Sequence, residues 1–258
     1  MNTIRRTAVE ILRLRRAAEL VGSILRSVSP FVRVGETPTA IDLFCRDELH
    51  RVSARTAADL NLHPCATSIS VNNVAVHGIP GEQPLMDGDV FTLDVACELD
   101  GWMGDGAWTY GVGNVSSDRR RLISAAWKAT RAGILAVGAG GNTGDIGRAV
   151  EAEARRSGCV VLPGFVGHGI GSRLHEPPAI PNIGRATGGV PIEVGMVFTI
   201  EPILALKMTE PTLMDDGWSY ACLDGTLTAQ FEHTVAVLPD RIDVLTFPGG
   251  FLPELPPW

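Results

Sequence analysis

Asp94 and Asp105 lie on either side of Asp100-Gly101, in the run from Phe91 to Tyr110. Asp-Gly tolerates the positive φ of a two-residue connection, so this run predicts a β-hairpin. In that hairpin Asp105 opposes Ala96. Residues two apart share a face, so Asp94 and Asp105 point the same way. Two adjacent carboxylates repel, and removing them from water adds to the cost; a buried pair therefore calls for a proton, a base or metal ions. Metal is the simplest of the three. Two further acids sit at strand positions, Glu201 in Phe198-Thr199-Ile200-Glu201-Pro202 and Glu232 in Gln230-Phe231-Glu232-His233-Thr234. With His168 in Val166-Gly167-His168-Gly169-Ile170-Gly171, the set becomes four carboxylates and one imidazole. Such hard, oxygen-dominated ligation suits divalent Mn, Fe, Co or Zn, and four carboxylates can bridge two ions. Each of these residues alone also reads as an ordinary strand-edge acid or a structural histidine; it is the set that weakens that reading. Gly167, Gly169 and Gly171 form no phosphate loop, because the longer glycine fingerprint and its downstream acid are missing. Glu176 reads as structural, and His77 and His175 are undecided from the residues alone.

The elements that must position these groups are mixed. Apolar residues at spacings of three and four (Ile11, Leu14, Ala18, Val21, Leu25) predict a first helix from Ala8 to about Val28, ended by Ser29-Pro30. Thr37 or Thr39 caps a second helix that runs to about Val52. Further helices are expected over Asp118 to Val137 and over Thr143 to Arg156, with Gly158 as a stop and Gly138 to Gly141 as a loop. Strands are expected at Thr67–Val71, Val90–Cys97, Trp102–Gly111, Val197–Pro202 and Phe231–Leu238. One stretch is echoed: Gly88-Asp89-Val90-Phe91-Thr92-Leu93-Asp94 returns as Gly195-Met196-Val197-Phe198-Thr199-Ile200-Glu201, and each copy ends in a carboxylate. Shared strand preferences could produce the match. Two related α/β halves would in addition bring the two carboxylates close to an approximate two-fold axis.

Composition narrows the function. The 258 residues amount to about 1.7 average domains, enough for one large domain or two small lobes. Hydrophobic residues at 45% supply a core. A formal charge of −7 argues against DNA or other nucleic acid as a partner. No run is long and apolar enough for a membrane span, and arginines interrupt the first residues before a signal core forms. The cysteines Cys45, Cys65, Cys97, Cys159 and Cys222 are odd in number and contain no CxxC, which fits a reducing, cytoplasmic setting.

Several motifs in order resemble those of the short bacterial (type I) methionine aminopeptidases, within the wider family that includes proline-specific aminopeptidases and creatinase. They are NNVAVHGIP (Asn72 to Pro80), FTLDVACELDGWMGD with Asp94 and Asp105, GHGIGSRLH (Gly167 to His175), FTIEP, Asp216-Gly217-Trp218 and AQFEHT. The resemblance covers about residues 4 to 245. It implies an α+β pita-bread fold in which two pseudo-symmetric halves form a curved antiparallel sheet covered by helices. Residues 1–245 would form that single catalytic domain and 246–258 a Pro-rich C-terminal tail. The implied activity is metal-dependent hydrolysis of the N-terminal peptide bond, normally releasing initiator methionine, by a cytoplasmic monomer acting on peptide N termini, with ribosomes as partners. Matched residue by residue, Asp94, Asp105, His168, Glu201 and Glu232 would hold two divalent ions. Glu201 would be the general base, His175 would stabilise the oxyanion, and His77 would contact the scissile amide.

Departures from the family pattern fall in the substrate pocket. His63 stands where an aromatic residue is common, and Leu174 stands where Phe is usual before His175. Ser68 and Val76 occupy places often held by Cys, and Asn73 replaces a usual Glu. Trp218 matches the family's pocket tryptophan. Such changes can alter preference by roughly 1 to 3 kcal/mol. The competing readings are an enzyme of the same scaffold acting on another first residue or on a small amide or C–N metabolite, and a non-enzymatic binding module. The second would have no chemical use for five costly, converging polar groups. In the tail, Pro248, Pro253, Pro256 and Pro257 exclude a regular helix or central strand. That tail is either a flexible end or docks through Phe247, Phe251 and Trp258.

Overall fold

The structure, a computed structural model, describes residues 3–184 and 189–247. Helix α1 spans Ala8–Ser27. The Thr7 hydroxyl accepts the Glu10 N–H while the Glu10 carboxylate accepts the Thr7 N–H, a capping box that satisfies two backbone donors reciprocally. Helix α2 spans Pro38–Arg51, and it is Thr37, not Thr39, that caps it, with Pro38 in the first turn where a missing N–H costs nothing. Helices α3 (Ser117–Leu135) and α4 (Thr143–Arg156) begin at Ser116 and Asn142 caps and pack on each other. Gly158, at φ +69°, follows the end of α4. Among the described residues no helix is long and apolar enough to cross a membrane.

The strands in chain order are β1 (Arg55–Thr56), β2 (Ser68–Val71), β3 (Val74–Val76), β4 (Val90–Leu99), β5 (Trp102–Gly111), β6 (Val160–Val161), β7 (Val166–Gly169) and β8 (Glu176–Pro181). They continue as β9 (Val197–Ile200), β10 (Ile203–Ala205), β11 (Thr212–Leu213), β12 (Tyr220–Ala221), β13 (Thr228–Gln230), β14 (Glu232–Val237) and β15 (Ile242–Val244). The expected strand over Val197–Pro202 stops at Ile200, before a proline that has no N–H for a ladder. Sequence patterning did not find β7 and β8. Their glycines and prolines hide the usual alternation, and they form strands because they join a sheet edge.

The main sheet is antiparallel, in the order β1-β4-β5-β14-β9-β7-β8, with β2 also on β4 and β15 also on β14. It is the curved, helix-flanked sheet of the pita-bread fold. The echoed segments lie on β4 and β9, which flank the central pair β5 and β14 symmetrically. Their leading glycines, Gly88 and Gly195, share a left-handed φ of +89° and +93°.

Packing holds the sheet to the helices closely. Helix α1 lies across β5, where a Cβ at Gly104 would come 2.5 Å from the Ala17 carbonyl oxygen. Trp108, Trp127, Phe91, Phe198 and Phe231 are fully buried in the core between sheet and helices. Beyond β15, Thr246 is buried and shares a 2.8 Å hydrogen bond with His233 Nδ1, and the Phe247 ring lies 6.3 Å from Trp108. The rest of the proline-rich tail, with Phe251 and Trp258, lies outside the described residues.

Candidate metal centre and active-site cavity

Strand register alone brings the acids together. The Asp100-Gly101 turn has both residues at positive φ (+53° and +80°), and it sets Asp105 opposite Ala96 and Asp94 opposite Ala107. Ala107 in turn pairs with Glu232 on β14. Asp94, Ala107 and Glu232 therefore form one cross-strand row on one face, Asp105 stands two residues from Ala107 on that face, and Glu201 follows the end of β9 beside β14. His168 reaches the row from β7. That approach needs glycine, because a Cβ on Gly167 would lie 2.4 Å from the Thr199 carbonyl oxygen. The glycines around His168 thus serve backbone contact.

Ligand atoms of Asp105, His168 and Glu232 lie within 4.8 Å of one another. His168 Nε2 is 3.5 Å from Asp105 and 3.4 Å from Glu201. The other ring nitrogen, Nδ1, is 3.1 Å from the Gly169 carbonyl, so its proton is donated there and Nε2 is turned to the acids. Glu201 accepts a 2.7 Å hydrogen bond from Thr199 Oγ1, which also accepts the His168 backbone N–H. Glu232 Oε1 is buried with no hydrogen-bond partner.

Electrostatics match this crowding. Burial, followed by the neighbouring carboxylates, pushes Asp94 and Glu232 well above the usual carboxylate range. Burial also raises Glu201 to about 7, against the pull of His168 and Thr199. For His168, burial works downward, but Asp105 and Glu201 outweigh it and raise the imidazole to about 9. Four acids on one imidazole exceed what protein cations balance here. An orphaned carboxylate oxygen, a properly oriented Nε2 and an excess of hard oxygen donors all fit divalent cations.

These residues line a cavity of about 330 Å³. Asp94, Asp105, His168, Glu201 and Glu232 all border it, as do His77 and His175. The His175 ring meets His168 edge-on at 4.3 Å. Desolvation first, then neighbouring imidazoles, hold His77 and His175 below the ordinary histidine value, so both are neutral donors near neutral pH. His77 sits at φ +56°, and its carbonyl accepts from His63 Nε2 and Ser219 Oγ, each at 3.5 Å.

Of the expected pocket residues, His63, Ser68 and Leu174 border the cavity, whereas Trp218 does not. Trp218 is 37% exposed and packs edge-on against His63, with ring centroids 5.4 Å apart. Val76, singled out as a pocket departure, borders the cavity too, whereas sequence reasoning missed Phe165 and Ile203, which supply apolar lining. It also missed Thr199, although its position two residues before Glu201 on the same strand was a usable signal. Glu176 is buried and ion-paired with Arg6, in keeping with a structural role.

Comparison with known proteins agrees with this geometry. The sequence profile of metallopeptidase family M24 matches residues 13–239. The chain is 37% identical over 243 residues to methionine aminopeptidase A of Synechocystis sp., covering 92% of this chain and 94% of that protein. It is 35% identical to a methionine aminopeptidase of Clostridium perfringens, covering 92% and 96%. The crystal structure of methionine aminopeptidase from Rickettsia prowazekii superposes with a TM-score of 0.92 at 34% identity, covering 95% of this chain and all of the other.

Proposed function

Since the chain belongs to metallopeptidase family M24, among the bacterial type I methionine aminopeptidases, we propose that it removes methionine from the N termini of peptides and nascent proteins by metal-dependent hydrolysis. The observation that carries this reading is the convergence of Asp105, His168 and Glu232 in a cavity that His77 and His175 also line. Asp94 and Glu201, which line the same cavity, would complete a set of five residues able to hold two divalent ions of Mn, Fe, Co or Zn.

When bound, the ions supply an acidified water and polarise the scissile carbonyl. Glu201 takes the water proton and returns it to the leaving amine; Thr199 and His168 hold its carboxylate in place for both transfers. His175 donates to the oxygen on which negative charge develops, and its neutrality keeps the donated proton available. His77, braced through its carbonyl by His63 and Ser219, faces the scissile amide and orients it. The first side chain of the substrate enters between His63, Leu174, Val76 and Phe165. Nearby carboxylates attract the free α-amino group, favouring exopeptidase over endopeptidase action.

The same reading makes the protein a cytoplasmic monomer that meets its substrates at the ribosome. All five cysteines are unpaired, in keeping with a reducing compartment.

The test is the initial rate of Mn-, Fe- and Co-loaded enzyme on peptides that differ only in their first residue, with metal content measured on the same samples. Methionine is expected to leave faster than alanine, leucine or glycine. Faster release of another residue would show that His63 and Leu174 have changed the preference. A metal-loaded protein that cleaves none of the peptides would overturn the reading in favour of a small amide or C–N substrate.

A further inference from the structure

The helix pair α3 and α4 carries a second concavity, a groove of about 770 Å³ that shares no lining residue with the metal cavity. Its charged and polar lining comprises Arg121, Lys128, Arg131 and Arg156 with Ser124 and Ser157. The acid in it, Glu153, is 7% exposed and already paired with Arg156. Arg121 has a partner on its own helix, Asp118, at 3.1 Å. Lys128 and Arg131 have no ion pair or hydrogen bond to any described residue, and Arg131 Nε is buried without a partner. The net charge of −7 conceals this face: α3 alone carries five basic residues against Asp118.

We propose that this groove binds the phosphodiester backbone of single-stranded RNA. The cations do not converge on one point. Arg121, Lys128 and Arg131 run along one face of α3 over about 15 Å, at the helical rise of 1.5 Å per residue, and Arg156 faces them from α4. A row of separated donors matches successive phosphates of a strand better than one free phosphate. Such a row can lie along one sugar–phosphate backbone. The two serine hydroxyls add neutral donors between the charges. No aromatic side chain among the lining residues offers a base a stacking platform, so binding rests on the backbone and is dominated by counterion release. This inference stands apart from the peptidase reading, because the groove lies on the helices and not in the cavity.

The experiment uses the full chain and a short fluorescein-labelled oligouridylate, followed by fluorescence anisotropy. Saturable binding is expected at 50 mM KCl. With three or four phosphates neutralised, the affinity should fall about 20- to 50-fold between 50 and 200 mM salt. The double variant K128E/R131E should weaken binding at least about tenfold while peptide hydrolysis stays unchanged. K128Q/R131Q, which only removes charge, guards against misfolding, and each variant's thermal melt is recorded. Absence of saturable binding at low salt, or binding that survives both double variants, would overturn the proposal. So would duplex DNA binding as tightly as the single strand.

Discussion

Replacing Glu201 by glutamine separates what the acid cluster costs the fold from what it contributes to turnover. In the metal-free protein, burial raises the Glu201 carboxyl from 4.5 to about 7. Between those values the folded chain holds a proton that the unfolded chain has released, so stability falls as pH rises through that window. Above both values the loss is roughly 3 kcal/mol, and at pH 5 it is only about 1 kcal/mol. Glutamine keeps the shape and can still accept the Thr199 hydroxyl, but never ionises. The pull of His168 at 3.4 Å is already contained in the value of about 7, so the gain at pH 8 stays at roughly 3 kcal/mol. At about 2 °C per kcal/mol for a chain of this size, the metal-free Glu201→Gln protein should melt about 6 °C above the parent at pH 8, and about 2 °C above it at pH 5. Melts followed by circular dichroism in chelator across this range provide the assay. Added Mn should reverse the order, because binding to the native state stabilises only a protein with its ligands intact. A metal-free variant that melts at or below the parent at every pH would refute the view that Glu201 is held ionised against its surroundings. Turnover should be nearly abolished in the same variant, and substantial hydrolysis at full metal occupancy would remove Glu201 from the role of base.

Three further outcomes follow from the geometry. His175→Ala should lower kcat/KM by about 10²- to 10³-fold, the usual loss for one oxyanion donor; steady-state kinetics with an unchanged kcat/KM would contradict its role. Leu174→Phe restores the usual aromatic wall and should change the ratio of methionine to leucine release by about 10- to 200-fold, within the 1–3 kcal/mol range of pocket changes; a peptide panel with unaltered ratios would place the first side chain elsewhere. Gly104→Ala forces a methyl to within 2.5 Å of the Ala17 carbonyl oxygen, so urea denaturation should show a loss of about 1 to 3 kcal/mol or more. A neutral result there would mean that α1 is not seated on β5.

What could be read from the residues was what short-range rules control. The Asp100-Gly101 turn fixes the register of its hairpin, so the shared face of Asp94 and Asp105 followed from counting, and the ladder agrees pair for pair. Helices with a clear apolar stripe and a capping side chain came within two residues of their observed ends. Long-range pairing was less accessible. Nothing local states that β14 lies beside β5, and it is this contact that sets Glu232 in line with Asp94. Strands β7 and β8 gave no alternating signal because glycine at 167 and 169 and proline at 177, 178 and 181 serve backbone approach and edge geometry. Trp218 was matched to the pocket by motif, and the structure sets its indole edge-on against His63, a contact that motif order does not specify.

The echo of β4 in β9 explains both the site's symmetry and the way its chemistry departs from it. Both segments begin at a left-handed glycine and end at an acid, and they flank the central pair β5 and β14, so Asp94 and Glu201 are counterparts across an approximate two-fold axis. Their supporting threonines are counterparts too, yet they bond differently. Thr92 shares a 2.8 Å hydrogen bond with Thr109, which directs its hydroxyl into the sheet. Thr199 instead donates to Glu201 and accepts the backbone N–H of His168, made possible by the close approach at Gly167. Asp94 lacks that hydroxyl donor, and burial, followed by Asp105 and Glu201, drives it well above the carboxylate range against the pull of His168. Glu201 has the hydroxyl donor and His168 at 3.4 Å, and sits at about 7. A duplicated strand thus provides two acids in equivalent places, and the glycine-lined strand that joins only the β9 side makes one of them fit to exchange a proton near neutral pH.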